Sequence, residues 1–564
     1  MFEEFKLPIQ LETPRKIHAL DNTVVKDLEM LETHDSSNQS VYEICFQPQT
    51  IFGKSTLYKW SKQTSSNKKF LQHFQIFVKK NKFTCNPQDF CTLFETLKNI
   101  KNDNGFNSKY EYIDWEKLAF LNNNEHFLQG LSLYNLSSPA FTILLPLVSL
   151  IIPFFILKTM NRKLSFSSYF VVLRHQLKKH PIGKIFTNFS SVSIQQKMYY
   201  ITMLFFYGLN VYQNILSCIK YYKNFTTIHS ICKECETFLR NVKQECEFVV
   251  ERCQSNKILN NFSVYLESYI TKINNYIVRF DAIKPYSLGN LLSIGKKMKL
   301  FYDIKHCKVF QEISNFSFGF LGFVDQIQGL QKHLQNKQIH NCKFTNRSKE
   351  QKFTNFYYPS LINKKPITNT LECNKNYLIS GPNASGKTTL LKSLLVNQIL
   401  SQQIGCGFYQ KAKVSLYHHF YIYLNIPDTS GRDSLFQAEA RRCKNIIDTI
   451  ETHANEKHFC IFDELYSGTN PREAVGSALA YLNFLNKKEN VIYFITTHFL
   501  EICQSLEKHP INKNISLHSY YKDNKIHNTY KIISEISNIT TGYEVLKQLN
   551  YPSEILNSIS FNTI

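Results

Sequence analysis

The stretch that most limits the fold is Tyr377-Leu378-Ile379-Ser380-Gly381-Pro382-Asn383-Ala384-Ser385-Gly386-Lys387-Thr388-Thr389-Leu390. A short apolar run leads into Gly-x-x-x-x-Gly-Lys-Thr and then into a helical pattern, the strand–loop–helix order of a P-loop. The turn from Gly381 through Pro382, Asn383, Ala384 and Ser385 to Gly386 aims backbone N–H groups at phosphates. Lys387 is spaced to reach β- and γ-phosphates, and the hydroxyl of Thr388, followed by Thr389, to face Mg²⁺.

The residues that such a loop needs follow in order. Phe459-Cys460-Ile461-Phe462-Asp463-Glu464 reads as an apolar strand ending in two carboxylates. Asp463 is suited to support the metal and Glu464 to polarise an attacking water. A second buried strand, Val491 to Thr497, ends at His498, placed to sense a γ-phosphate. Between them, Ser467-Gly468-Thr469-Asn470-Pro471 leaves the first strand as a loop able to cross to a second protomer. Ser430-Gly431-Arg432-Asp433-Ser434-Leu435-Phe436 precedes a polar helix containing Glu439, and Ser434 at its start offers donors to an anion.

The chain has 564 residues, enough for two to four domains. Its net charge of +22 and pI near 9.2 favour polyanionic partners, nucleic acid or an anionic membrane surface. The N-terminus shows no secretory signal, and the 15 scattered cysteines read as reduced thiols, so an intracellular protein is expected.

Residues 1–135 carry helical spacing, as at Leu71, Phe74, Phe77 and Val78, and no catalytic constellation. Two uncharged stretches follow, Leu136–Leu157 and Met198–Ile219, each long enough to cross a bilayer. Between them, residues 158–197 hold Lys158, Arg162, Lys163, Arg174, Lys178, Lys179, Lys184 and Lys197 and no acid. A membrane hairpin would put this basic segment on the side away from cytosolic ATP, against the positive-inside tendency. Buried core helices are therefore expected, and the basic segment is a candidate for phosphate contact along DNA. Cys232, Cys235, Leu239, Val242, Cys246, Val249 and Cys253 form a heptad seam, repeated by Leu266, Ile270, Ile273, Ile277 and Phe280. Two long helices packed antiparallel are expected, with the cysteines as seam residues rather than zinc ligands.

The order of loop, serine-bearing signature, Asp-Glu strand, crossing loop and histidine resembles the ABC-type ATPases. The residues of Gly381–Thr389, Asp463-Glu464-Leu465-Tyr466-Ser467-Gly468-Thr469-Asn470 and Thr496-Thr497-His498-Phe499 resemble the MutS family of DNA mismatch-repair ATPases. Ile404-Gly405-Cys406-Gly407-Phe408, Ser434-Leu435-Phe436 with Glu439, and Gly542-Tyr543-Glu544-Val545 with Pro552 resemble further segments of that family. The resemblance covers roughly residues 356–556.

It implies an α/β P-loop ATPase of ABC type at 351–564, joined to a mainly α-helical lever and clamp region at 136–350, with an N-terminal region at 1–135. It implies ATP and Mg²⁺ as cofactors, Gly381 to Thr389 and Ser434 on nucleotide, and Thr388 and Asp463 on metal. Lys387, Glu464 and His498 take the catalytic roles. It also implies a homodimer or heterodimer whose paired ATP sites open and close a clamp on mismatched or branched DNA, in nucleus or cytoplasm. The alternative is the same ATPase serving as a membrane-associated or scaffold protein. Three departures stand out. Leu435 replaces the signature threonine, Pro366 and Ile367 stand where an adenine-stacking aromatic is expected, and no segment resembles a mismatch-reading domain.

Overall fold

The computed structural model describes residues 2–35, 37–160, 166–179, 193–254, 258–282, 293–347, 350–424, 434–522, 525–539, 546–547 and 549–558. They form two compact units, each assembled from separated stretches. One gathers Met1–Asp89, Gln244–Ile270 and Asn315–Ile564, the other Phe90–Lys243 and Thr271–Ser314.

The first unit is organised by a six-stranded sheet of β1 (Asn376–Ser380), β2 (His419–Tyr423), β3 (His458–Asp463), β4 (Val491–Thr496), β5 (Asn512–Lys522) and β6 (Lys525–Ile533). The order is β2-β3-β4-β1-β5-β6, all parallel except β6, which returns antiparallel to β5. Strands β1 and β4 are buried along their whole length and β3 along all but its last residue. Near-continuous apolar runs of this kind belong to a parallel sheet covered on both faces. In register, Asp463 lies beside Thr496 and Thr496 beside Ile379, so the carboxyl ends of β3, β4 and β1 meet. Crevices at such ends are where open α/β sheets bind ligands.

Helix α1 (Lys387–Gln403) follows β1 and buries a polar face as well as an apolar one. Asn397, Gln398, Ser401, Gln402 and Gln403 are all fully buried. Buried amides must be hydrogen-bonded, and these are. Gln402 Nε2 donates to Tyr417 O (2.7 Å) and Ser65 O (3.2 Å), and Gln403 Nε2 to Trp60 O (2.6 Å) and Tyr42 Oη (2.9 Å). Residues near the N-terminus thus complete the far end of α1. They include the helix Lys68–Lys80, which buries Leu71, Phe74, Phe77 and Val78 as its spacing predicts.

The second unit is helical. Helix Ile294–His306 meets helix Glu125–Thr159 closely, since a Cβ at Gly295 would lie 2.2 Å from Glu125 O. Tyr221 Oη donates to Ser132 Oγ (2.6 Å) and Tyr112 Oη to Met298 O (2.7 Å). Helices Ile194–Gln254 and Asn260–Asp281 run antiparallel, with Arg240 paired to Asp281 and Lys243 Nζ donating to Asn274 Oδ1 (2.9 Å). The heptad seam is buried: Cys232, Cys235, Leu239 and Val242 on one helix, Ile273, Ile277 and Phe280 on the other. Burial pushes the Cys232 thiol up to about 12, so it behaves as a small apolar residue.

The uncharged stretches depart from expectation. They are helical and lie side by side, with Tyr207 Oη donating to Thr142 O (3.1 Å) and Cys218 Sγ approaching Leu136 O (3.4 Å). They are not buried core helices: Phe141 is 60% exposed, Leu145 67% and Phe205 62%. The physical reason is that two helices packed side by side cover one face apiece for each other. Among the described residues no helix is long and apolar enough to cross a membrane. Of the basic segment, Lys158, Arg174 and Lys178 are exposed, while Arg162, Lys163 and Lys184 lie outside the described residues.

Candidate functional site

After β1 the backbone needs glycine twice. Gly381 has φ 151° and Gly386 φ 95°, and a Cβ on Gly386 would sit 3.1 Å from the Tyr530 ring. Between them Pro382 and Ser385 are buried, while Asn383 and Ala384 form an exposed tip. Asn528 Nδ2 donates to Ala384 O (3.2 Å), steadying that tip from β6. Ser385 Oγ is buried and, among the described residues, has no hydrogen-bond partner.

Lys387 begins α1 and is buried. Its ammonium donates to Gly381 O and Pro382 O, both at 3.0 Å. Burial lowers its pKa from the usual lysine value, against the opposing charges of Glu464 and Asp463. Thr388 Oγ1 donates to Asp463 Oδ2 (2.8 Å), and Thr496 Oγ1 donates to the other Asp463 oxygen. Glu464 adopts φ 56°, left-handed for a non-glycine residue, and its N–H donates to Thr496 O (3.1 Å). That turn brings its carboxylate to His498, Oε1 to Nε2 at 2.7 Å. The His498 hydrogen bond, helped by the charges of His498 and Lys387, holds Glu464 below the usual carboxylate range despite burial.

Beside the loop opens a cavity of about 400 Å³. Ser385, Gly386 and Thr389 form one wall, and Pro366, Ile367 and Tyr530 face them. Phe356, Tyr357 and Tyr358 also line this cavity, and Tyr530 reaches it from β6. Asn369 fixes Tyr530, its Nδ2 donating to Tyr530 O (2.8 Å) and its Oδ1 accepting from Ile532 N (3.0 Å). Nothing local in the sequence marks Tyr530 or Asn528, because sheet pairing brings β6 to the loop, whereas Thr496 lies within the Thr496-Thr497-His498-Phe499 segment already singled out.

Ser434 belongs to a different cluster. It caps helix α2 (Leu435–Thr452) through a reciprocal capping box with Gln437, at 3.3 Å and 3.0 Å. Buried Glu439 accepts from Ser467 Oγ and Gly468 N, both at 3.2 Å, and so ties the 467–471 loop to α2. A Cβ on Gly468 would lie 2.6 Å from Leu435 Cγ. Leu435, in place of a hydroxyl residue, therefore serves as packing for that loop. Residues 430–433 and 542–545 lie outside the described residues.

The donor set fits a magnesium nucleoside triphosphate. The Thr388 hydroxyl and Asp463 carboxylate are the hard oxygen ligands Mg²⁺ prefers. The loop, the Lys387 ammonium and the unpartnered Ser385 hydroxyl suit phosphate oxygens.

Comparison with known proteins agrees. The chain is 24% identical over 312 residues to an "Endonuclease MutS2" of Ligilactobacillus salivarius, covering 55% of this chain and 34% of the relative. A Staphylococcus carnosus protein of the same name is 22% identical over 299 residues, 52% of this chain and 36% of its own. One from Streptococcus uberis is 25% identical over 240 residues, 42% and 30%. The chain spans about a third of the length of these relatives. Residues 377–562, about a third of the chain, match MutS domain V, the ATPase domain of MutS-family proteins.

Proposed function

We propose that this chain is an ATP-dependent DNA-binding protein of MutS type, with an ABC-type P-loop ATPase in residues 351–564. ATP binding and hydrolysis there would drive clamp-like engagement of mismatched or branched DNA in repair or recombination. The observation that carries this reading is the joining of Lys387, Thr388–Asp463 and Glu464–His498 at the carboxyl ends of β1, β3 and β4.

In this reading Lys387 shifts its donors from the Gly381 and Pro382 carbonyls to phosphate oxygens. Thr388 and Asp463 would hold Mg²⁺, which would supply charge neutralisation to the phosphates. Glu464 orients the attacking water and takes its proton, and its lowered pKa keeps it ionised for that task. His498 holds the Glu464 carboxylate in place and faces the γ-phosphate. Tyr530 and Ile367 sandwich the base. Ser434 acts across a dimer on the neighbouring chain's nucleotide. Residues 136–350 serve as the lever and clamp arm, and the +22 net charge, with Lys158, Arg174 and Lys178 exposed, favours a DNA backbone. The setting is an intracellular compartment that holds DNA.

ATP hydrolysis measured with and without duplex, mismatched and four-way DNA tests this. Stimulation by at least one DNA form is expected, and indifference to all three would overturn the DNA reading.

The exposed apolar side chains of 136–157 and 198–219 favour a second reading, in which the same ATPase docks on an anionic membrane surface. Sedimentation of the full chain with phosphatidylserine vesicles separates the two. Co-sedimentation that survives added DNA supports the membrane.

A further inference from the structure

The opposite end of the sheet carries a second concentration of polar chemistry. Strands β2 and β3 start there, with His419 paired in register to His458. Helix α2 ends there at His453, and a turn closed by Glu456 N to His453 O (2.9 Å) leads into β3. His419 Nε2 lies 2.5 Å from Glu456 Oε2, and His453 Nδ1 lies 3.3 Å from the same oxygen. The three ligand atoms all fall within 4.8 Å of one another.

The geometry points to a binding site for a divalent transition metal, with His419 Nε2, His453 Nδ1 and the Glu456 carboxylate as ligands. Tetrahedral zinc with bonds of ~2.0–2.2 Å holds its donors about 3.4 Å apart, a value that lies between the 2.5 Å of the shortest pair and the 4.8 Å within which all three atoms fall. Two imidazoles select Zn²⁺ or its neighbours over Mg²⁺, whose preferred ligands are oxygens. The side chains of His453 and Glu456 are 44% and 36% exposed, so the fourth position opens to water.

Further imidazoles surround these three side chains. Burial lowers His458 to about 4, and its Nδ1 lies 3.1 Å from Tyr421 Oη. Burial likewise lowers His418, whose Nδ1 accepts the Lys457 N–H at 2.9 Å. The His418 and His18 rings meet edge to face at 4.7 Å, and burial takes His18 to about 4.

Parallel strands separate this site from the glycine loop, which follows the other end of β1. A metal here would take no part in hydrolysis. It would fasten the turn after α2 to the edge strand β2 and so fix one end of the helix whose other end, ~27 Å away along its axis, is capped by Ser434.

The test uses the untagged full chain, stripped with a chelator and titrated with Zn²⁺ and, separately, Co²⁺. One equivalent of Zn²⁺ should bind and raise the melting temperature. Co²⁺ should give a spectrum of nitrogen and oxygen ligation, without the thiolate charge-transfer bands that any of the 15 cysteines would add. His453→Ala and Glu456→Gln should each weaken Zn²⁺ at least ~10-fold and abolish the melting shift. Both side chains are partly exposed and Glu456→Gln keeps its volume, so circular dichroism should match the parent. No saturable binding, thiolate bands, or equal affinity in both variants would overturn the proposal.

Discussion

Strands β3 and β4 and the helical stretches 136–157 and 198–219 are about equally apolar to the eye, yet they end differently. In the sheet, hydrogen bonding to a neighbour on each side and helices over both faces leave Phe462, Phe494 and Ile495 fully buried. In the helical unit, the two stretches lie side by side, and Leu145 and Phe205 face outward. Within the same unit the seam residues Cys232, Cys235, Leu239, Val242, Ile273, Ile277 and Phe280 are as well buried as the sheet. The contrast teaches that apolar content specifies burial only where the number of neighbours is also specified. The seam's regular three-and-four spacing encodes one partner helix. An apolar run without periodicity leaves the partner open, and here it leaves a surface for something else to cover.

The comparison can be broken or sharpened by experiment. The largest effect is expected at the carboxyl ends of the strands. Glu464→Gln should lower ATP turnover ~10²–10⁴-fold while nucleotide binding persists, read by steady-state hydrolysis and a fluorescent-nucleotide titration. Normal turnover would remove Glu464 from the role of base. Next comes the seam, where Ile273→Ala should cost about 2–5 kcal/mol of stability in chemical denaturation, as for any well-packed core residue. Leu145→Ser and Phe205→Ser should change stability by no more than about 0.5 kcal/mol. A seam-sized loss at either would mean that these faces are covered in solution.

The smallest effect concerns pH. Because Glu464 has a lowered pKa in the folded chain, its pairing with His498 contributes fully above the unfolded value of 4.5. That contribution fades as pH falls through the folded value. His498→Ala should therefore lower stability slightly in the neutral region, flatten the acid limb of a stability-against-pH curve, and leave stability below the folded value unchanged.

These outcomes track what could be read without coordinates. The glycine loop, the Asp463-Glu464 strand end and His498 are legible because each is a short motif with its chemistry in adjacent residues. The helix holding Leu71, Phe74, Phe77 and Val78 and the heptad seam are legible because periodicity reports a buried face directly. What stays hidden depends on register between distant segments. Tyr530 reaches the cavity only because β6 folds back along β5. His419 meets Glu456 only because β2 and β3 begin side by side. The buried amides of α1 look like a solvated helix face until Tyr42, Trp60 and Ser65 are brought to them.

Glu464 itself carries a lesson for anyone who would stabilise this molecule. Its left-handed backbone disfavours every side chain with a Cβ, by roughly 1–2 kcal/mol, and glycine alone is at ease there. A library screened for heat resistance will reward glycine at this position and discard the carboxylate. Selection for toughness and selection for turnover pull this one residue in opposite directions, so any thermostable derivative should be sequenced here before its activity is trusted.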